Sequence, residues 1–284
     1  MKRFVFATLT ASVLFLFSCD EIPPNIDFSV PYKTQDTTYI VSSAPVPQHK
    51  AVLIEDITGV RCVNCPEAAA EAAKIVANKT EDSVVVMALY TSQMNTLTLP
   101  WPGYPKLTND ISTEIVDVLG VPGDLPKGYV DRKIFAPLTE RFVQYKSWGL
   151  YVDQRLKQST PVNIEMSSAV AGRKINVNLK FQYTENVSGN HKYALYITED
   201  DVVSKQTGGK PTPETYIHKH ILRYAFGNSV GNPLNASLVV GRTFEKILSY
   251  ELPAEYNMDN CRLICVISDV SSNEVINVRE IHVK

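Results

Sequence analysis

Cys62-Val63-Asn64-Cys65-Pro66 is the segment with the clearest capacity for chemistry. Two thiols separated by two residues can close a disulfide or exchange one. The residues after Pro66 are rich in Ala from Ala68 to Ala73. Ala has the best helix propensity, and Pro is accepted in a first turn, so the cysteines are expected at a helix start. There the unpaired N–H groups and the positive dipole end favour thiolate over thiol. Such a setting lowers a Cys pKa, and Arg61 adds a neighbouring positive charge. In the redox reading Cys62 attacks and Cys65 resolves the mixed disulfide. In the static reading the pair is a closed structural bridge. Both stay open on sequence. No other Cys–His grouping supplies the four ligands of a zinc site, and no cofactor is expected.

The other chemically able residues read as structural. Cys261 and Cys265 fall on one predicted strand, about 13 Å apart at ~3.3 Å per residue. That is too far for a mutual disulfide, so they are expected as small buried hydrophobes. His218 and His220 are expected on one strand face, without a third metal ligand and with structural partners such as Tyr216. Arg223 is expected to tie a buried carboxylate. Trp101 and Tyr104 either line a surface near the dithiol or pack a long loop onto its own domain.

The N-terminus sets the compartment. Lys2 and Arg3 precede an almost wholly apolar run from Phe4 to Phe17. About fourteen residues suit a signal-peptide core and are short for a spanning helix. Leu16-Phe17-Ser18-Cys19 resembles a bacterial lipobox. That resemblance implies diacylglyceryl transfer to the Cys19 thiol and cleavage before it. Each buried methylene would add ~0.8 kcal/mol of membrane affinity. The membrane is therefore the expected partner, through lipid on Cys19. Export also places the chain where disulfides persist. A net charge of -2, with no basic run beyond the first residues, excludes a nucleic-acid footprint.

The positioning elements follow from periodicity. Residues 1–18 are the expected signal peptide. Residues 19–48 are the lipid-anchored tether, marked by Pro23, Pro24, Pro31, Pro45 and Pro47, with a short strand possible over Thr37–Val41. Residues 49–160 form the first domain. Ala51–Ile54 and Ser83–Tyr90 are buried strands on either side of the Ala-rich helix, the arrangement of a right-handed parallel crossover. A long aromatic loop covers 91–107. Thr108 or Asn109 caps a helix running to about Leu119. A strand resumes at Gly128–Asp131, and a helix is expected over about Leu138–Lys157. From Pro161 the apolar period becomes two, as in Ile175, Val177, Leu179 and Phe181. Similar runs follow at Tyr193–Ile197, Tyr216–Phe226, Phe244–Tyr250, Arg262–Ile267 and Val275–Val283. Residues 161–284 are therefore expected to be a β-sandwich-like domain. No internal repeat is present.

The order strand, Cys-Val-Asn-Cys, helix, strand, helix, Pro126, strand resembles the thioredoxin fold. That resemblance implies a cis-proline at Pro126 beside the dithiol, with the Leu125 backbone pairing to a substrate strand. Thioredoxins carry Trp before the first Cys where this chain has Arg61, which argues against a general disulfide reductase. A second resemblance covers nearly the whole mature chain. Ile54-Glu55-Asp56-Ile57-Thr58-Gly59, the dithiol, Val121-Pro122-Gly123-Asp124-Leu125-Pro126, Tyr216-Ile217-His218-Lys219-His220-Ile221-Leu222-Arg223 and Asn273-Glu274-Val275 are similar to the Omp28-related outer membrane lipoproteins. It implies an α/β thioredoxin-like domain joined to an all-β domain, and a location in the cell envelope at the outer membrane. The family is mostly of undefined activity, with surface exposure and adhesion proposed. An envelope or host protein is the partner class it leaves open, in a catalytic, a binding or a structural role.

Overall fold

Two strands buried on both faces organise the chain. The computed structural model describes residues 35–208 and 214–284. The expected leader, Cys19 and the first part of the tether lie outside the described residues. In chain order the first half reads β1 (Gln35–Ile40), β2 (Val52–Ile57), α1 (Cys65–Ala77), β3 (Val84–Leu89), α2 (Asn95–Thr98), α3 (Asp110–Leu119), β4 (Lys127–Val130), β5 (Phe142–Gln144) and α4 (Trp148–Leu156). The second half reads β6 (Val162–Ala171), β7 (Lys174–Tyr183), β8 (His191–Glu199), β9 (Val202–Ser204), β10 (Tyr216–His218), β11 (Ile221–Ala225), β12 (Asn232–Pro233), β13 (Arg242–Glu251), β14 (Cys261–Asp269) and β15 (Val275–His282).

β2 and β3 are buried along their whole length and pair in parallel, joined by α1. Such strands read as continuous apolar runs because helices or sheets cover both faces. They lie inside a nine-stranded sheet of order β15-β14-β8-β11-β3-β2-β4-β5, with β12 beside β8. β11 joins β3 in parallel through Ile221 and Ala88, and the Ala88 N–H donates to the His220 carbonyl at 2.7 Å. A second, antiparallel sheet has the order β1-β13-β7-β6.

The two faces of β8 and β14 serve two cores. Leu195, Ile197, Leu263 and Cys265 pack against Val177, Phe181 and Phe244 of the four-stranded sheet, which makes a sandwich. Their neighbours Ala194, Tyr196, Ile264 and Val266 join Leu53, Met87 and the α3 residues Ile115 and Leu119. On the other side of β2 and β3, Ala68, Ala72 and Ile75 of α1 and Trp148 and Val152 of α4 close a third core. Residues on both sides of position 160 thus share one sheet and one apolar layer, and the described residues form one compact unit. No described helix is long and apolar enough to cross a membrane.

Three segments differ from their sequence pattern. The expected helix over Leu138–Lys157 is present only as α4. Phe142–Gln144 instead forms β5 on the open edge of β4, with Val143 buried in the α1–α4 core. Edge pairing plus burial of Val143 outweighs local helix propensity there. The run Tyr216–Phe226 is broken at His220, which sits at φ 57. β10 pairs with β9, while β11 enters the large sheet. β8 is buried throughout rather than on one face, because each face meets a different core.

Candidate functional site

The dithiol sits where β2 hands over to α1. The Cys62 N–H donates to the Gly59 carbonyl at 3.1 Å, closing a turn, and Cys65 is the first residue of α1 with Pro66 next. The two sulfurs are bonded, with Cα atoms 5.4 Å apart. Cys62 is 3% exposed and Cys65 2%. Their cover comes from far along the chain. Gln206 Nε2 donates to the Gly59 carbonyl at 3.2 Å and to the Cys62 carbonyl at 2.9 Å. The Thr207 N–H donates to the Val60 carbonyl at 2.8 Å. Gly208 lies so close that a Cβ there would stand 2.6 Å from the Val63 carbonyl oxygen, and its φ of +146 disfavours any side chain.

The opposite flank is closed by the 91–107 segment. The Arg61 N–H donates to the Leu97 carbonyl at 2.8 Å, and Trp101 Nε1 donates to the Val60 carbonyl at 3.3 Å. The Arg61 guanidinium donates to the Leu99 and Pro100 carbonyls and lies 4.2 Å over the Trp101 ring. Lys205 sits 5.0 Å from the same ring. The charge expected to activate Cys62 is therefore engaged with loop carbonyls and an indole. Trp101 packs its own loop onto the cysteine turn.

Beside the disulfide, a groove of about 590 Å³ runs between α1 and β10. Ala69, Ala70 and Ala73 form one wall, Val86 and Ala88 part of the floor, and Cys65 and Gln206 are among its lining residues. Asp56 lines it too, 4% exposed, and its Oδ1 has no hydrogen-bond partner. Burial raises the Asp56 carboxyl to about 7. Tyr90 shares a 2.8 Å hydrogen bond with His218 Nδ1, and burial lowers that imidazole to about 4.

Of the residues singled out by sequence, Leu125 and Pro126 are joined by a cis peptide bond just before β4, whose Lys127 pairs with Ile57 of β2. The Leu125 side chain packs against the α3 core. Cys19 lies outside the described residues. Cys261 and Cys265 are unbonded and buried in the sandwich. Burial pushes the Cys261 thiol up to about 12 and raises the Cys265 thiol as well. His218 and His220 do not share a strand. His218 packs edge-on against Tyr216, while His220 Nδ1 is 3.4 Å from Asp200. Arg223 meets Glu199 at 2.8 Å, both side chains buried. No grouping of three or more His, Cys, Asp or Glu suited to a metal occurs among the described residues.

Sequence reasoning missed Asp56, Tyr90 and Gln206 as parts of this site. An acid inside the apolar run Val52–Ile57 was the available signal for Asp56. Nothing local marks Gln206, which reaches Cys62 across 144 positions.

Comparison with known proteins places the fold. No curated protein matches the chain. HBP35 of Porphyromonas gingivalis has a similar solved structure, with a TM-score of 0.65 at 13% identity, covering 85% of this chain and 77% of that one. A domain of the outer membrane lipoprotein Omp28 from Porphyromonas gingivalis aligns at 18% identity over 44% of this chain and 89% of its own, with a TM-score of 0.31. The family model described as outer membrane protein Omp28 matches residues 114–284. That span is more than half of the sequence, and the chain belongs to the Omp28 family.

Proposed function

We propose that this chain is an outer-membrane lipoprotein, held by acyl groups on Cys19, whose Cys62–Cys65 disulfide is a structural brace and not a reactive centre. The observation that carries this reading is the burial of both cysteines beneath Gln206, Thr207 and Gly208. Exchange requires a thiolate to reach one sulfur of the bridge, so its rate depends on access. Family membership and the expected lipobox support the location. The order β2, disulfide, α1, β3, α3, cis Leu125–Pro126, β4 supports a thioredoxin-like first half, joined to a sandwich-like second half. The working surface is then the exposed β-rich half, and its partner an envelope or host protein.

Two measurements test the reading. Replacing residues 1–19 by an export signal that is cleaved without lipidation should move the protein from the membrane fraction to the soluble fraction of the envelope; retention in the membrane would end the anchor assignment. Under native conditions, millimolar dithiothreitol should leave Cys62 and Cys65 oxidised for hours, while the same reductant in denaturant opens them. Alkylation and mass spectrometry read both states. Native reduction within minutes, followed by turnover of a disulfide-bonded protein substrate, would reverse the brace assignment.

Thiol–disulfide exchange is the second reading, favoured by the place of Cys65 as first residue of α1 on the wall of a groove. In it Cys62 attacks, Cys65 resolves, and the Leu125 backbone beside Pro126 pairs with an extended substrate.

A further inference from the structure

The groove between α1 and β10 has a composition that neither the brace nor the anchor explains. Its walls are short: Ala69, Ala70 and Ala73 on α1, facing Val86 and Ala88 of β3. Small side chains at these positions leave about 590 Å³ of space, within the range of ~300–1,000 Å³ usual for small-molecule sites. The mouth opens between exposed Ala70 and Ala73 on one side and exposed Ile217 on the other.

Asp56 lies among these apolar walls. Neither a hydrogen bond nor an ion pair reaches its carboxyl among the described residues, and one oxygen is fully buried. The nearby cations are engaged elsewhere: Lys219 pairs with Asp201 at 3.0 Å and Arg223 holds Glu199 at 2.8 Å. Burial lowers the pKa of the His220 imidazole, which favours its neutral form. The Tyr90 hydroxyl is committed to His218. A buried polar group without a partner is costly to the fold, and charge-assisted N–H···O bonds are among the strongest that can satisfy one. The missing partner is thus a positively charged N–H donor arriving with an apolar body. Above about pH 7, where this buried carboxyl is ionised, an anion would meet its charge and a neutral alcohol would leave that charge uncompensated.

We propose that this groove binds a small alkylammonium ligand, its nitrogen on the Asp56 carboxylate and its hydrocarbon chain along the alanines of α1. The site stands independently of whether the disulfide is a brace or a redox centre.

Octylammonium chloride is the probe, titrated by calorimetry at pH 8.5, where Asp56 is ionised, into the full chain carrying Cys19→Ser, with 1-octanol and octanoate as controls. Saturable 1:1 binding of octylammonium is expected, at least tenfold tighter than octanol and with octanoate silent. Asp56→Asn keeps the shape and removes the charge; it should weaken octylammonium at least tenfold and leave octanol unchanged. Ala73→Leu, on an exposed helix position, fills the groove and should weaken both. The proposal is overturned by no saturable binding, by octanol or octanoate matching octylammonium, by equal affinity in Asp56→Asn, or by indifference to Ala73→Leu. Circular dichroism of each variant keeps a folding defect from passing as a loss of binding.

Discussion

At the scale of single residues, Asp56 dominates the pH response of this half of the molecule. Its carboxyl is raised to about 7 in the folded chain by burial, against an ordinary unfolded value of about 3.9. A raised carboxyl favours the folded state while both forms are protonated, below about pH 4. Between about 4 and 7 the unfolded chain releases the proton and the folded chain retains it, so stability falls across that interval and levels off above it. At 1.36 kcal/mol per pH unit the loss is at most about 4 kcal/mol. Asp56→Asn should flatten this slope, so that the variant gains on the parent by a few kcal/mol between pH 4 and pH 8. Urea titrations of both proteins across that range measure it; parallel profiles would mean that the carboxyl is solvated. The contrast with the cysteines is instructive. Cys62 and Cys65 were legible because a spacing of two residues followed by Pro and Ala is a local signal. The state of Asp56 was not, because it depends on α1 and β10 lying over one strand residue.

Among the elements, local pattern was readable wherever an element owed its form to its own sequence. α1 and α3 fall where expected, and Asn109 accepts from the Ser112 N–H at 2.7 Å, as its capping role requires. Elements decided by pairing partners were not readable. Phe142–Gln144 became a strand because β4 offered an edge, and Tyr216–Phe226 divided at His220 because its two halves pair with different sheets. The cover over the disulfide belongs to this second kind, since Gln206–Gly208 follows β9 and folds onto a turn from the first half. Its fit rests on Gly208, where an added methyl would collide with the Val63 carbonyl and Pro66. Gly208→Ala should therefore displace the cover and speed native reduction of the Cys62–Cys65 bridge several-fold, with the midpoint of thermal unfolding nearly unchanged. Timed alkylation after addition of dithiothreitol reports it. An unaltered rate would show that these residues do not limit access to the sulfurs.

Across the whole molecule, the parts before and after residue 160 are joined by an ion-pair network anchored on buried charges as well as by a shared sheet. Asp131, after β4, meets Lys50 at 2.9 Å and Arg155 at 2.7 Å, and Arg155 reaches Glu274 at 2.6 Å. The Glu55–Arg132 pair is fully buried, and Arg132 also donates to the Tyr196 hydroxyl on β8. The change of apolar period near Pro161 marked a change of architecture, but it could not show that β8, β11 and β14 would extend the sheet begun by β2 and β3. Charges removed from water at this junction are strongly destabilised if either partner is lost, so the halves should come apart only as they unfold. The sequence supplies separate probes for each. Both tryptophans, Trp101 and Trp148, belong to the first half, while the unbonded Cys261 and Cys265 lie in the sandwich core. In Cys19→Ser protein, the fluorescence transition in urea and the onset of rapid thiol labelling should share one midpoint, as a single cooperative unit requires. Labelling of the sandwich thiols at clearly lower or higher urea than the tryptophan transition would mean that the shared sheet is a docking seam between independently stable parts.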